Sequence, residues 1–178
     1  MISTPIDSIA TNDFHFVTLW RIEATREEVF EIIGNPLTLC RWWPEVYSQV
    51  DEIHSGDEDG VGRVIVLQTR GWLPYKLKWQ FRVSHVLRPC GFSLVASGDL
   101  VGTGEWSFFQ RGDEVEVTYD WHILVDKPLI RHLSFLLKPL FLWNHEWAMK
   151  KGETALRREI VRLREMKQHA DRVWPAEV

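Results

Sequence analysis

The sequence predicts an α+β domain: a curved antiparallel sheet of about six to seven strands wrapped around one long C-terminal helix, with two short helices after the first strand. Three observations carry this reading. Period-two alternation occupies residues 14–24 and returns from about 46 to 125; a helical signal with its own start and stop fills the gap between them; and helical spacing takes over after Lys127-Pro128 and holds to about residue 168. Strands and helices do not alternate along the chain, which argues against a parallel βαβ sheet.

In "FHFVTLWRIEA", Phe14, Phe16, Thr18, Trp20 and Ile22 fall on one face, the mark of a strand buried on one side. Thr25 and Glu28 then form a capping box, Val29, Phe30, Ile32 and Ile33 give the helix an apolar side, and Gly34-Asn35-Pro36 stops it. Asn35 and Pro36 open a second short helix, "PLTLCRWW", which ends before Pro44. The runs that follow are separated by "SGDEDGVG", "RGWLPY", "RPCG", "SGDLVGTG" and "QRGDE", the spacing of successive antiparallel strands. Leu77, Trp79, Phe81 and Val83 share a face, as do Trp106 and Phe108, and Val115, Val117, Tyr119, Trp121 and Ile123. Gly98, Gly102 and Gly104 mark a tight turn or bulges that let the sheet bend. Pro139 predicts a kink in the last helix. One domain over 14–168, between tails 1–13 and 169–178, accounts for the pattern.

Ten tryptophans and nine phenylalanines are a surplus for 178 residues. Each such side chain buries roughly 150–250 Å², so they either pack a dense core or line a cavity between sheet and helix. Net charge is −4 with no dense Lys/Arg run, which speaks against nucleic acid. Cys40 and Cys90 lie far apart, a spacing that fits neither a zinc knuckle nor a disulfide framework and agrees with a reducing cytoplasm. The start "MISTPIDSIATNDF" has no signal-peptide pattern. Residues 129–143 are the most apolar run, but Arg131, His132, Lys138 and Pro139 interrupt it. It therefore falls short of the ~20 residues a span requires, and stable membrane insertion is not expected.

Four segments, in this order, resemble the START/birch-pollen-allergen (SRPBCC) superfamily, in particular its polyketide cyclase/dehydrase and lipid transport branch. They are "WRIEATREEVFEII" leading into "RWWPEV", then "SGDLVGTGEWSFF", "VTYDWHI" and "NHEWAMKKGETALRREI", within residues 14–165. The resemblance implies a helix-grip fold and a hydrophobic cavity for a lipid, polyketide or similar molecule. It does not imply a reaction, because relatives include ring-closing enzymes, carriers and activators of chaperone ATPases.

The residues expected at the cavity are Trp20, Trp43, Trp79, Phe81, Trp106, Phe108, Tyr119 and Trp121 from the first strand, the second helix and the sheet, with Leu140, Trp143, Asn144 and Trp147 from the last helix. Helical spacing sets those four on one side and turns His145 and Met149 a quarter-turn or more away. Tyr119 and Asn144 are the weak catalytic candidates: a phenol facing an apolar cavity can donate a proton, and a primary amide both donates and accepts. Packing explains Asn144 equally well, and for Tyr119 a packing role with its hydroxyl near the rim is slightly favoured. Asp120 and His122 point to the opposite face and read as a solvated pair. "HEWAM" lacks the second histidine of a zinc-protease helix, "SGDEDGVG" lacks the closing glutamate of a calcium loop, and no phosphate- or dinucleotide-binding turn occurs, so no metal or cofactor is expected. Trp42, Trp43, Trp72 and Tyr75 could gate entry or simply pack.

Three functions remain open from sequence: binding of an apolar small molecule in the cavity, a cyclase or dehydratase using the same cavity, or a protein that meets a partner or membrane surface through Leu133, Leu136, Leu137 and Phe141. Oligomeric state is not legible.

Overall fold

The computed structural model describes residues 3–5, 13–72, 76–125 and 134–173. Eight strands form one antiparallel sheet: β1 (Ser3–Pro5), β2 (Asp13–Glu23), β3 (Tyr47–His54), β4 (Val64–Arg70), β5 (Lys76–Leu87), β6 (Gly91–Gly98), β7 (Leu100–Arg111) and β8 (Glu114–Val125), in the order β1-β2-β8-β7-β6-β5-β4-β3. Strands β2 to β8 are the seven expected. Strand β1 corrects the reading of residues 1–13 as a tail, because Ser3, Thr4 and Pro5 pair with Thr18, Val17 and Phe16. They cover an edge of β2 whose backbone groups would otherwise lack a partner strand.

One face of the sheet is apolar along its length. Phe14, Phe16, Thr18, Trp20 and Ile22 of β2 and Val115, Val117, Tyr119, Trp121 and Ile123 of β8 are all buried. The β6–β7 corner turns at Gly98, whose φ of +106° is open to glycine and strained for other residues.

After β2 come α1 (Arg26–Ile33), one 3₁₀ turn (Pro36–Thr38) and α2 (Leu39–Trp42). The capping box forms as read, with Thr25 Oγ1 accepting from Glu28 N and Glu28 Oε2 accepting from Thr25 N. The same Glu28 carboxylate takes two hydrogen bonds from Arg164 at 2.7 Å, which hold its pKa down at about 2 and tie α1 to the last helix.

That last helix, α3 (Ser134–Val173), is one element that includes Pro139, whose missing N–H leaves one turn without its bond, and it continues past the expected end at 168. Its inner side reaches across α2 and the sheet through Met149, Ala155, Leu156 and Ile160. Glu159, only 4% exposed, accepts from Arg41 of α2 at 2.5 Å and from Arg162 at 2.7 Å. Those guanidinium groups, Arg162 first, keep its carboxyl below the usual range and pin α2 against α3.

Candidate functional site

Bulky side chains from the sheet and α2 do not close the interior completely; among the described residues they leave two chambers. The larger, about 280 Å³, lies between the α1–α2 segment and strands β4 to β8. Trp42, Trp43, Phe30, Phe81, Phe92 and Trp106 supply most of its aromatic wall, and Glu31, Asn35, Asp59, Arg63 and Arg88 stand around its mouth. The smaller, about 120 Å³, lies under α3 against Phe16, Leu100, Trp121, Ile123, Phe141, Asn144, His145 and Met149. Trp43, Tyr47, Trp79 and Tyr119 line both, so these four rings are the partition between them.

Aromatic packing fixes the partition. Tyr119 stacks on Trp106 with centroids 4.0 Å apart and on Trp121 at 5.5 Å, while Tyr47 sits edge-on to Trp43 at 5.2 Å. Trp79 donates its indole N–H to Thr69 Oγ1 at 3.1 Å. Burial pushes both the Tyr47 and Tyr119 phenols well up, and the neighbouring Tyr47 and Asp120 add to the rise at Tyr119. Two glycines make the packing possible by leaving space. A Cβ on Gly104 would lie 2.7 Å from the Trp121 ring and 3.0 Å from the Tyr119 hydroxyl, and one on Gly152 of α3 would lie 2.3 Å from the Trp43 ring. Gly152→Ala is therefore expected to destabilise the fold by about 1–3 kcal/mol through overpacking. The ~1 kcal/mol helix preference for alanine offsets part of that loss. A lowered urea midpoint checks it; an unchanged or raised one would mean that Trp43 moves aside freely.

Of the residues read from sequence, Trp43, Trp79 and Tyr119 line both chambers, Phe81 and Trp106 the larger, and Trp121 and Asn144 the smaller. Trp20 and Phe108 are buried in the core and line neither. The helix residues need correction. Trp143 is 46% exposed and meets Trp72, itself 58% exposed, edge-to-face at 4.6 Å outside the domain. Leu140 and Trp147 are half-buried and line neither chamber. The side of α3 turned inward carries Phe141, His145, Ala148, Met149 and Gly152 instead. The physical reason is space: the sheet and α2 already contribute the large rings, so the helix approaches through its smaller residues.

Asn144 packs against Gly71, and its Oδ1 accepts from the backbone N–H of Trp72 at 2.8 Å, which engages its oxygen with the β4–β5 connection. His145, read as turned away, stacks on Phe16 at 3.9 Å, and its Nε2 lies 3.4 Å from the buried Thr18 hydroxyl. Burial among these groups lowers its pKa to about 3, so the imidazole is neutral. Asp120 and His122 lie on the outer face as expected, but each pairs across to β2, Asp120 with His15 and His122 with Asp13, both at 2.8 Å. Phe141 turns inward and stacks on Phe14 at 5.5 Å, which removes it from the expected surface patch. Leu133 and Tyr75 lie outside the described residues, as do the side chains of Leu136 and Leu137. Among the described residues no three His, Cys, Asp or Glu side chains are grouped to hold a metal, and no helix is long and apolar enough to cross a membrane.

Sequence reasoning missed Tyr47 and His145. His145 was within reach, because the stripe Phe141, His145, Ala148, Met149, Gly152, Ala155, Leu156 continues for four turns, longer than the tryptophan pair that set the wrong phase.

No protein-family model and no curated protein matches the chain. Solved structures do. An aromatase/cyclase, Zhui from Streptomyces sp. R1128, superposes with a TM-score of 0.62 at 16% identity over 84% of this chain and 94% of its own. A START superfamily protein from Mycobacterium smegmatis gives 0.62 at 14% identity over 84% and 98%. The di-domain aromatase/cyclase BexL of the BE-7585A biosynthetic pathway gives 0.66 at 12% identity over 84% of this chain and 50% of its own. With seven long antiparallel strands, two short helices after the first of them and a long C-terminal helix, the chain has the START-like helix-grip fold.

Proposed function

We propose that this protein binds an apolar small molecule, of the lipid or polyketide kind, in the chambers between α1–α2, the sheet and α3. The observation that carries the reading is the larger chamber, about 280 Å³ of space walled mostly by aromatic rings with a few polar side chains among its lining. A core that only needed to be full would close such a space, since interiors normally pack to crystal-like density. Native mass spectrometry of the purified protein, followed by denaturing extraction, tests it. A bound apolar molecule, or uptake of one from a panel, is the expected result; a protein that stays empty throughout counts against the reading.

A second reading, a cyclase or dehydratase using the same chambers, is favoured by the likeness to Zhui and BexL and by the Tyr119 phenol at the partition. A protonated phenol there is placed to donate a proton to a bound enolate. Turnover of a genuine substrate that survives in Tyr119→Phe would remove that role.

A further inference from the structure

Resting on the apolar-ligand reading, the geometry points to a narrower ligand class: we propose that Tyr47 and Tyr119 together seat an oxygen acceptor, so that the bound molecule is a flat apolar compound carrying a ring ketone or quinone oxygen. The two phenols come from different elements, the first residue of β3 and the middle of β8, and both line both chambers. A molecule in either chamber, or one spanning both, would therefore lie against both residues.

The hydrogen-bonding side chains around them are occupied. The Trp79 N–H is donated to Thr69, His145 Nε2 is paired with Thr18, and Asn144 Oδ1 accepts from Trp72 N. Arg70 donates to the backbone oxygens of Pro44 and Glu45. The indole N–H groups of Trp42 and Trp43 lack acceptors, but those atoms are sealed from the cavity surface and cannot reach a ligand. Neither phenol makes a hydrogen bond to a described residue, and both stay protonated because burial opposes their ionisation. Two protonated hydroxyls beside one apolar space are donors that a carbonyl oxygen, with its two lone pairs, satisfies together.

Shape agrees with this chemistry. Trp106, Tyr119 and Trp121 stack with interplanar angles of 13° and 21°, a run of near-parallel rings that a planar fused ring extends better than a flexible chain does.

Equilibrium dialysis of the full chain with 9-fluorenone and with fluorene, which share one planar skeleton and differ in the carbonyl, tests the proposal. The ratio of fluorenone to fluorene affinity is expected to fall severalfold in Tyr47→Phe and in Tyr119→Phe, and about tenfold in the double variant, with fluorene affinity unchanged. A ratio that is the same in wild type and double variant overturns the phenol seat while leaving apolar binding intact. If neither compound binds the wild type, the flat-ketone inference fails by itself, while the apolar-ligand reading stands or falls with the native mass spectrometry described above. Thermal melts of the variants show that the comparison is made between folded proteins.

Discussion

Lowering the pH from 6.5 to 4.5 is expected to cost the fold about 2 kcal/mol through His145 alone. Burial against Phe16 holds this imidazole neutral, with a pKa lowered to about 3. In the unfolded chain the same group takes up a proton near 6.5. Between those values the unfolded state binds more protons than the folded one, so stability falls as pH falls, by about 1.4 kcal/mol per pH unit. Glu28 and Glu159 also lose stabilising pairs in acid, but their folded pKa values are depressed. Their contribution is therefore present above the ordinary carboxylate range and declines mostly below pH 4.5. Urea unfolding at pH 7.0, 5.5 and 4.5 separates the two effects. Wild type should weaken across this window while His145→Phe, which keeps a ring stacked on Phe16, should stay nearly level. Equal losses in both proteins would show that the imidazole takes up its proton in the folded state.

Trp43→Ala is expected to cost about 3–5 kcal/mol, the range for deleting a buried large aromatic. Trp43 is 3% exposed and touches the rings of Trp20, Trp42 and Tyr47 and the backbone at Gly152, so little can collapse into its place. It also lines both chambers, so its removal should join them into one space that admits larger apolar probes. Trp43→Phe should keep most of the stability and report on the partition if the alanine variant does not fold. A urea midpoint in Trp43→Ala close to that of wild type would mean that the neighbouring rings repack.

The sheet was legible in the sequence because strand burial has a period of two and this chain obeys it closely: every inward residue read on β2, β5, β7 and β8 is on the inner face. The capping box was legible because it depends on two residues three apart. The phase of α3 was not. Hydrophobicity favoured turning Trp143 and Trp147 inward, but which side of a helix faces a sheet is decided by the room the sheet leaves, and here Ala148 and Gly152 fit where tryptophan would not. Strand β1 escaped notice because three residues show no period. The partition was half legible: Tyr119 follows from alternation along β8, whereas Tyr47 meets it only through the path of the chain around α2.

The pairing of β2 with β8 sets the order of events as the chain folds. Asp13 and His122 meet across 109 residues, and β2 has no neighbours in the sheet but β8 and the three-residue β1. During synthesis the aromatic side of β2, with Phe14, Phe16 and Trp20, thus waits in water until the last strand has left the ribosome. Contacts so distant in sequence form slowly because a long loop must close first. A chain halted before residue 114 would hold an apolar strand with no long partner, a species prone to associate with its own kind.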